Sequence, residues 1–343
     1  MRVFHHAAQR RHDPAQFLVQ GRPRPCPEKP ARIDALLAGV AALGLEAEAP
    51  ADLGLQPLAA VHTSDYLLFL KTIHDRWRAL EGAAEVVVPN VHPRDRRFGY
   101  PRSPVGQAGW HMADTACPIS ADTWDSVYWS AQSAVAAADA VAAGAAAAYA
   151  LCRPPGHHAF ADQAGGFCFV NNAALAAERL SRAGRRPAIV DVDLHHGNGT
   201  QGIFYERRDV LTVSVHADPA DYYPFFWGHA QECGAGAGIG ANLNLPLPLK
   251  TGDEGFAAAL EVGIERVRAF AADTLVIALG LDAFAGDPFG GLTLTTPGFA
   301  RIAGRLASLG LPTVIVQEGG YPCPELGDNL ARFLGGFAEA HRP

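Results

Sequence analysis

The chain lacks the sequence features of several protein classes. It carries no block of like charges, and its net charge is −7 over 343 residues, so it has no basic face of the kind that nucleic-acid binding requires. Its six cysteines are scattered and no two have CxxC spacing, which argues against a disulfide framework or a thiolate zinc site. We therefore expect reduced, buried thiols and no nucleic-acid partner.

The chain also lacks long hydrophobic runs. The alanine-rich stretch at 131–150 contains Gln132, Asp139 and Gly144, and alanine is only weakly apolar, so a packed helix is favoured over a membrane span. The first eleven residues contain no apolar segment of the kind found in secretory signals. These absences predict a cytoplasmic protein with no membrane association.

Short apolar runs alternate with helical patterns along the chain. The apolar runs have the composition of parallel strands covered on both faces, and they span residues 148–151, 188–192, 210–215, 274–279 and 313–316. The helical patterns lie at 171–182, 254–271 and 297–309. This alternation predicts an α/β protein of one domain, residues 1–343, with a central, mostly parallel multi-stranded sheet and helices on both faces.

A polar segment at about 85–124 interrupts this alternation. It is rich in proline and arginine, and we expect it to form a long excursion from the sheet. Because long irregular segments in compact domains are often functional, this excursion is a candidate part of a binding site.

The most informative segment follows the apolar run at 188–190. Residues 191–197 read Asp-Val-Asp-Leu-His-His-Gly, and in a strand every second side chain lies on the same face. Asp191, Asp193 and His195 would then project together, which is costly in a protein interior unless something neutralises them. A divalent metal such as zinc is favoured, and a strand-end cap with one ion pair is the alternative.

Three more predicted strands lead into reactive residues. The run at 148–151 is followed by His157 and His158, the run at 274–279 by Asp282, and the run at 313–316 by Tyr321. Ligands of open α/β sheets bind beyond the carboxyl ends of the strands, so we expect one assembled site. Asp282, which by itself would equally suit a helix cap or an ion pair, then completes a three-ligand catalytic zinc site that leaves positions open for water and substrate.

The adjacent histidines suit general base and general acid catalysis near a metal. Each needs a partner that fixes its tautomer, and Asp191 and Asn198 are the candidates. One partner is acidic and the other neutral, which would separate the proton affinities of the two imidazoles. Tyr321 follows two glycines and would donate a hydrogen bond to an oxyanion, although a tyrosine packed over the sheet edge is the simpler interpretation of this residue alone.

These segments together resemble the histone deacetylase superfamily, zinc amidohydrolases of the arginase/deacetylase fold. The resemblance covers nearly the whole chain, and its main motifs lie at 153–159, 165–172, 191–200, 280–282 and 318–321. Within the superfamily the chain is most similar to the bacterial acetylpolyamine amidohydrolases, on the segments 204–207, 216–220, 234–238 and 324–327.

The resemblance implies roles for individual residues. It implies one catalytic zinc ion held by Asp193, His195 and Asp282, and a catalytic set of His157, His158 and Tyr321. It implies Asp191 as the hydrogen-bond partner of His157 and Asn198 as that of His158. It implies a substrate tunnel with Phe167 and Gly166 on one wall, Tyr223 on the opposite wall, and Asp114 at an acidic position. It also implies a structural potassium ion held by the segment Asp191, Asp193 and His195 together with Ser214 and Val215.

The resemblance further implies that the excursion at 85–124 shapes the tunnel and forms a homodimer. In polyamine-cleaving members the residue before the glycine-glutamine pair that matches Gly106 and Gln107 is acidic, and here it is Val105. The loss of one carboxylate beside a cationic chain makes shorter acetylated diamines, acetyl-lysine or another small amide realistic substrates. Asp218 and Asp221 would either replace that charge or cap the loop on which they lie.

The sequence therefore predicts a zinc-dependent amidohydrolase that deacetylates small acetylated amines such as acetylpolyamines, by metal-activated water attack on the amide carbonyl. A protein lysine deacetylase or a hydrolase of another small acyl amide is the alternative. A non-catalytic binding protein is disfavoured because no ligand residue and no Tyr321 is lost. An arginase-like binuclear manganese enzyme is disfavoured because the additional metal-binding aspartates are missing around the histidine-containing strand.

Overall fold

The computed structural model describes residues 1–342, which contain ten strands and nine α-helices. The strands are β1 (Arg2–Phe4), β2 (Gln16–Val19), β3 (Arg22–Pro25), β4 (Ala47–Glu48), β5 (Ala147–Ala150), β6 (Pro187–Asp191), β7 (Leu211–Ala217), β8 (Asn242–Leu247), β9 (Thr274–Leu279) and β10 (Thr313–Gln317). The helices are α1 (Ala31–Ala42), α2 (Ser64–Arg78), α3 (Pro104–His111), α4 (Thr123–Ala142), α5 (Asn172–Arg182), α6 (Asn198–Phe204), α7 (Asp253–Phe270), α8 (Thr296–Ala307) and α9 (Leu326–Ala340).

Eight of these strands form one sheet in the order β4-β1-β5-β10-β9-β6-β7-β8, and all neighbouring pairs are parallel. The predicted α/β architecture is confirmed, and the five predicted strands lie within two residues of their observed bounds. The sequence did not reveal β1, β4 and β8, or the separate hairpin of β2 and β3. Two of these strands are only two or three residues long, and β8 contains Pro246 and two asparagines.

Helices cover both faces of the sheet. On β9, Leu275, Ile277 and Leu279 belong to a core shared with α1, α7, α8 and α9, whereas Val276 and Ala278 face a second core shared with α4 and α5. This two-sided burial explains why the strand is a continuous apolar run. The alanine-rich stretch forms most of α4, which packs against the sheet, and no helix within residues 1–342 is long and apolar enough to cross a membrane.

The segment at 191–197 differs from the prediction in its local structure. β6 ends at Asp191, so Asp193 and His195 are not on a strand, and the expected shared strand face is wrong. Instead, the Asp193 N–H donates to Asp191 Oδ1 at 3.0 Å, and the His195 N–H donates to Asp193 Oδ1 at 2.8 Å. These carboxylates fold the chain into a tight turn, which is a known use of aspartate beside its own backbone.

The excursion at 85–124 is more ordered than a loop. It contains α3, whose first turn holds Pro104 and whose Ser103 side chain accepts the N–H of Val105. An antiparallel bridge joins Val87 to Ile119, which brings the two ends of the excursion together. The excursion is therefore a small closed unit beside the sheet.

Candidate active site

Four neighbouring strands bring the predicted reactive residues to one edge of the sheet. β5, β10, β9 and β6 are adjacent and parallel, so their carboxyl ends lie side by side. His157 and His158 follow β5, Tyr321 follows β10, Asp282 follows β9, and the segment with Asp193 and His195 follows β6. This arrangement is the strand-end location that the sequence predicted.

Asp193, His195 and Asp282 form a buried cluster with the geometry of a metal site. One ligand atom from each residue lies within 4.8 Å of the others. His195 Nδ1 is 3.2 Å from Asp193 Oδ1 and 3.0 Å from Asp282 Oδ2. All three residues are buried, and neither carboxylate has a lysine or arginine within ion-pair distance among residues 1–342.

The charge of this cluster calls for a cation. Burial lowers the pKa of His195, but hydrogen bonds and charge from Asp193 and Asp282 outweigh it and raise this pKa to about 9. Gly280 and Gly319 keep the space around them open, because a Cβ atom would lie 2.2 Å from Asp193 Oδ2 at the first and 2.4 Å from Asp282 Oδ2 at the second. Two carboxylates and one imidazole fit zinc well.

The two adjacent histidines have different partners. His157 Nδ1 lies 2.9 Å from Asp191 Oδ2, and His158 Nδ1 lies 2.7 Å from Asn198 Oδ1. Burial lowers the pKa of His157, but the charges of Asp193 and Asp191 raise it to about 10. Burial, with the positive charges of His157 and His195, holds the pKa of His158 well below its usual value. The two imidazoles therefore differ in proton affinity because two carboxylates lie near His157, whereas burial and two positively charged rings act on His158.

Tyr321 lies beside this pair of clusters and is enclosed by aromatic rings. Its ring centroid is 5.8 Å from that of Phe167 and 4.7 Å from that of Phe289, and the Arg32 guanidinium lies over its face at 4.9 Å. The residue is 3% exposed, and within residues 1–342 its phenol donates no hydrogen bond to another protein group. The hydroxyl is therefore available to a ligand.

A cavity of about 520 Å³ opens above these residues. The predicted tunnel residues Gly166, Phe167, Tyr223 and Asp114 all line it, together with His158, His195 and Tyr321. Ten further residues line the cavity, and most of them are apolar or aromatic. They are Phe17, Leu18, Val19, Gln20, Thr115, Ala116, Asp221, Tyr222, Phe225 and Phe289.

Asp114 has a structural task within the cavity. Its Oδ2 accepts the Tyr223 hydroxyl at 2.6 Å and the Gly166 N–H at 3.1 Å, and its Oδ1 accepts the N–H of Ala116 at 2.8 Å. Gly166 has a φ of 50°, and a Cβ atom there would lie 2.5 Å from the His158 ring. These contacts join the two sides of the cavity and explain why glycine is needed at 166.

Sequence reasoning missed several residues around the site. Hairpin β2–β3 supplies four lining residues, and nothing in its short sequence pointed to the cavity. Arg32 donates to the carbonyl oxygens of Gly320 and Glu318, both at 2.5 Å, and to Glu28 Oε1 at 2.7 Å. Arg153 contacts the same Glu28 carboxylate at 2.8 Å. The spacing of Glu28 and Arg32 was the available signal, but four-residue pairs are common on exposed helix surfaces.

The residues expected to hold potassium are two members of the metal cluster, Asp193 and His195, and three residues on the neighbouring strands β6 and β7. Asp191 on β6 is directly opposite Ser214 on β7, and Val215 follows it on the same buried strand. The Ser214 hydroxyl lies 2.8 Å from His216 Nδ1. The potassium site itself stays a prediction.

Comparison with known proteins agrees with this architecture. The histone deacetylase domain matches residues 26–337. The acetylpolyamine amidohydrolase of Burkholderia pseudomallei (strain 1710b) is 46% identical over 338 residues, which cover 98% of both chains, and acetylpolyamine amidohydrolase 1 of Pseudomonas aeruginosa is 45% identical over 330 residues, 95% of both chains. A crystal structure of acetylpolyamine aminohydrolase from Burkholderia pseudomallei matches with a TM-score of 0.97 at 45% identity and covers 99% of both chains. The chain therefore belongs to the histone deacetylase family, with acetylpolyamine amidohydrolases among its relatives.

Proposed function

We propose that this protein is a zinc-dependent amidohydrolase that removes acetyl groups from small acetylated amines, acetylpolyamines in particular. The observation that carries the proposal is the convergence of a three-ligand metal cluster, two buried imidazoles and a free phenol at the base of one cavity. The names of the relatives, with 46% and 45% identity over nearly the whole chain, support acetylpolyamines as the substrate class.

His158 is the general base in this proposal. Its Nδ1 faces the Asn198 carbonyl oxygen, and an acceptor there requires the proton to be on Nδ1, so that Nε2 carries the free lone pair. The low pKa of His158, caused by burial and by its positive neighbours, keeps this imidazole neutral. Nε2 therefore takes a proton from the water molecule that attacks the amide carbonyl carbon.

Tyr321 and His157 stabilise the charges that develop. The Tyr321 phenol donates a hydrogen bond to the carbonyl oxygen as it becomes an oxyanion. His157, whose Nδ1 lies 2.9 Å from the Asp191 carboxylate, would place a positive charge beside the same centre when it is protonated. A bound zinc ion would polarise the carbonyl and increase the acidity of the attacking water. The carbon–nitrogen bond then breaks as the imidazolium of His158 gives its proton to the leaving nitrogen. The second water proton passes from the product acid to the amine, so acetate and an ammonium ion leave.

The cavity suits a slender amine with a distal positive charge. Its walls are largely aromatic, and it has two carboxylates besides the metal ligands, Asp114 and Asp221. Because Asp114 already accepts three hydrogen bonds, we propose that Asp221, whose side chain has no partner among residues 1–342, attracts the distal ammonium group. Asp218 instead accepts the N–H of Ala220 at 2.9 Å and acts as a loop cap. Val105 packs in an apolar cluster outside the cavity lining.

The excursion at 85–124 and the potassium site complete the proposal. The excursion supplies Asp114, Thr115 and Ala116 to the cavity and exposes Phe98, which supports its proposed role in a homodimer. A potassium ion bound by the 191–195 segment with Ser214 and Val215 would have a structural role. Sedimentation of the purified protein with and without potassium tests both statements.

Tyr321→Phe tests the proposed function. With acetylputrescine, acetylspermidine and an acetyl-lysine peptide as substrates, we expect the wild-type protein to prefer the polyamines. The variant should lose about 10²- to 10³-fold in kcat, as removal of one oxyanion donor does elsewhere, while its zinc content is unchanged. Full activity of the variant would remove Tyr321 from the mechanism. Preference for the peptide would favour a protein lysine deacetylase, and inactivity on all three would contradict the proposal.

A further inference from the structure

A buried carboxylate that the proposed reaction does not use lies beside the loop of Tyr321. Asp287 is 6% exposed and belongs to the loop that follows β9 and carries Asp282. Its Oδ2 accepts the backbone N–H of Tyr321 at 2.8 Å, and its Oδ1 accepts the backbone N–H of Phe289 at 2.9 Å. One side chain therefore joins the loop after β9 to the loop after β10.

Both partners of Asp287 have their rings at the site. The Phe289 ring packs against the Tyr321 ring with an interplanar angle of 63°, and it lies 5.5 Å from the His195 ring. The residue before Tyr321 is Gly320, with a φ of 109°, so the chain there has little stiffness of its own. The hydrogen bond to Asp287 is the one that holds the backbone N–H of Tyr321 itself. The bonds of this loop to Arg32 and Asp193 are made by Gly320 and Gly319, which precede Tyr321.

We propose that Asp287 is a positioning residue, which holds Tyr321 and Phe289 in place so that the phenol points at the reacting carbonyl before substrate binds. A carboxylate suits this task because it offers two acceptor oxygens to two N–H groups. An asparagine would turn its NH₂ group toward one of these donors and leave that donor without a buried partner. Donors fixed in advance stabilise a transition state most effectively because nothing must reorganise during the reaction.

This inference rests on the proposed role of Tyr321, so it is tested with a double-mutant cycle. Asp287→Asn should lower kcat about 10- to 100-fold, the range found when supporting residues of a site are removed, with KM changed by less than about two-fold. In a Tyr321→Phe background the same substitution should change kcat by less than about two-fold, because the group it positions is gone. An equal loss in both backgrounds, or a loss of bound metal, would overturn the proposal.

Asp253→Asn is the matched control. Asp253 also joins two elements, since its carboxylate accepts the N–H of Thr295 at 2.9 Å and the Thr295 hydroxyl at 2.6 Å, but it lies at the start of α7, away from the cavity lining. We expect its substitution to leave kcat unchanged. A comparable decrease in kcat would show that loss of any such bridging carboxylate has this effect.

Amide hydrogen exchange is a second, independent test of the Asp287 contact. The N–H groups of Tyr321 and Phe289 should both exchange slowly, and Asp287→Asn should accelerate at least one of them by about ten-fold or more. Rapid exchange of the Tyr321 N–H in the wild-type protein would overturn the proposal even if Asp287→Asn does not fold. If the wild-type protein hydrolyses no amide, the proposed function fails, and the exchange data alone judge the Asp287 contact.

Discussion

The base and the sides of the cavity are built in opposite ways. The base, which we call the floor, comprises His157, His158, Asp193, His195 and Asp282, and none of these is more than 7% exposed. The sides, which we call the wall, come from hairpin β2–β3 and from loops at 114–116 and 221–225. On the wall, Leu18 is 38% and Phe225 is 48% exposed.

This difference separates chemistry from substrate choice. Each floor residue lies on a buried segment that follows a strand of the central sheet, so the sheet sets its position. The wall residues lie on surface segments, which tolerate sequence change without loss of the sheet. We therefore expect substitutions in the floor to abolish the reaction and substitutions in the wall to change which amine is accepted.

The largest effect is expected from Asp282→Asn. Asparagine keeps the shape but removes the charge that, with Asp193, makes the cluster attractive to a cation, and it leaves the metal one anionic ligand short. Bound zinc should fall well below stoichiometry, and kcat/KM should decrease on the order of 10³-fold or more. Metal analysis and turnover of acetylputrescine by the same sample measure both effects.

Asp273→Asn provides the control for this substitution. Asp273 lies just before β9, at the opposite end of the strand that leads to Asp282, and its Oδ1 accepts the N–H of Arg186 at 2.7 Å. An asparagine can accept the same hydrogen bond, so metal content and activity should remain at wild-type values. If Asp282→Asn retained both zinc and activity, the floor would not be a three-ligand metal site.

The sequence predicted the floor far better than the wall. The floor could be predicted because the strands are continuous apolar runs and reactive residues follow four of them, and parallel strands bring their carboxyl ends together. The sequence nevertheless predicted that Asp193 and His195 share one face of a strand, and this was wrong because the chain turns just after β6. The strand end, more than the alternation of side chains, determines where they lie.

The wall could be predicted only where the family resemblance supplied residues. Asp114 and Tyr223 came from that resemblance, whereas hairpin β2–β3 and Tyr222 had no signal in composition or periodicity. Asp287 was missed for a related reason. A glycine-aspartate-proline triplet is typical of a turn, and only the folded chain reveals that its carboxylate reaches a backbone N–H of another loop.

A smaller effect is expected from His62, a buried residue outside the floor. His62 Nε2 accepts the N–H of Asn171 at 3.0 Å, so the ring must be neutral in the folded protein. Burial lowers the pKa of His62 from 6.5 to about 4. The unfolded chain thus binds the proton near pH 6.5 and the folded chain only near pH 4, so the free energy of unfolding should fall as the pH decreases through this interval.

The contribution of His62 to this loss is about 3 kcal/mol at most, since each unit of pKa difference corresponds to about 1.4 kcal/mol. Denaturant titrations at pH 7, 6, 5 and 4 measure it, and His62→Gln serves as the comparison because glutamine does not titrate. The two proteins should differ in the slope of stability against pH between 6.5 and 4. Parallel slopes would mean that His62 is protonated in the folded protein as easily as in the unfolded one.

The smallest effect is expected on the wall, from Asp221→Asn. An exposed ion pair contributes about 0.2–1 kcal/mol, so kcat/KM for acetylputrescine should fall no more than about five-fold, and added salt should reduce the difference. Acetylated butylamine, which has no distal ammonium group, should be hydrolysed equally well by both proteins. Asp218→Asn is the matched control, because an asparagine can still accept the N–H of Ala220. A similar loss with the neutral substrate would mean that Asp221 shapes the wall without attracting charge, and the selectivity for cationic amines would then have to come from Asp114 or from a second copy of the chain.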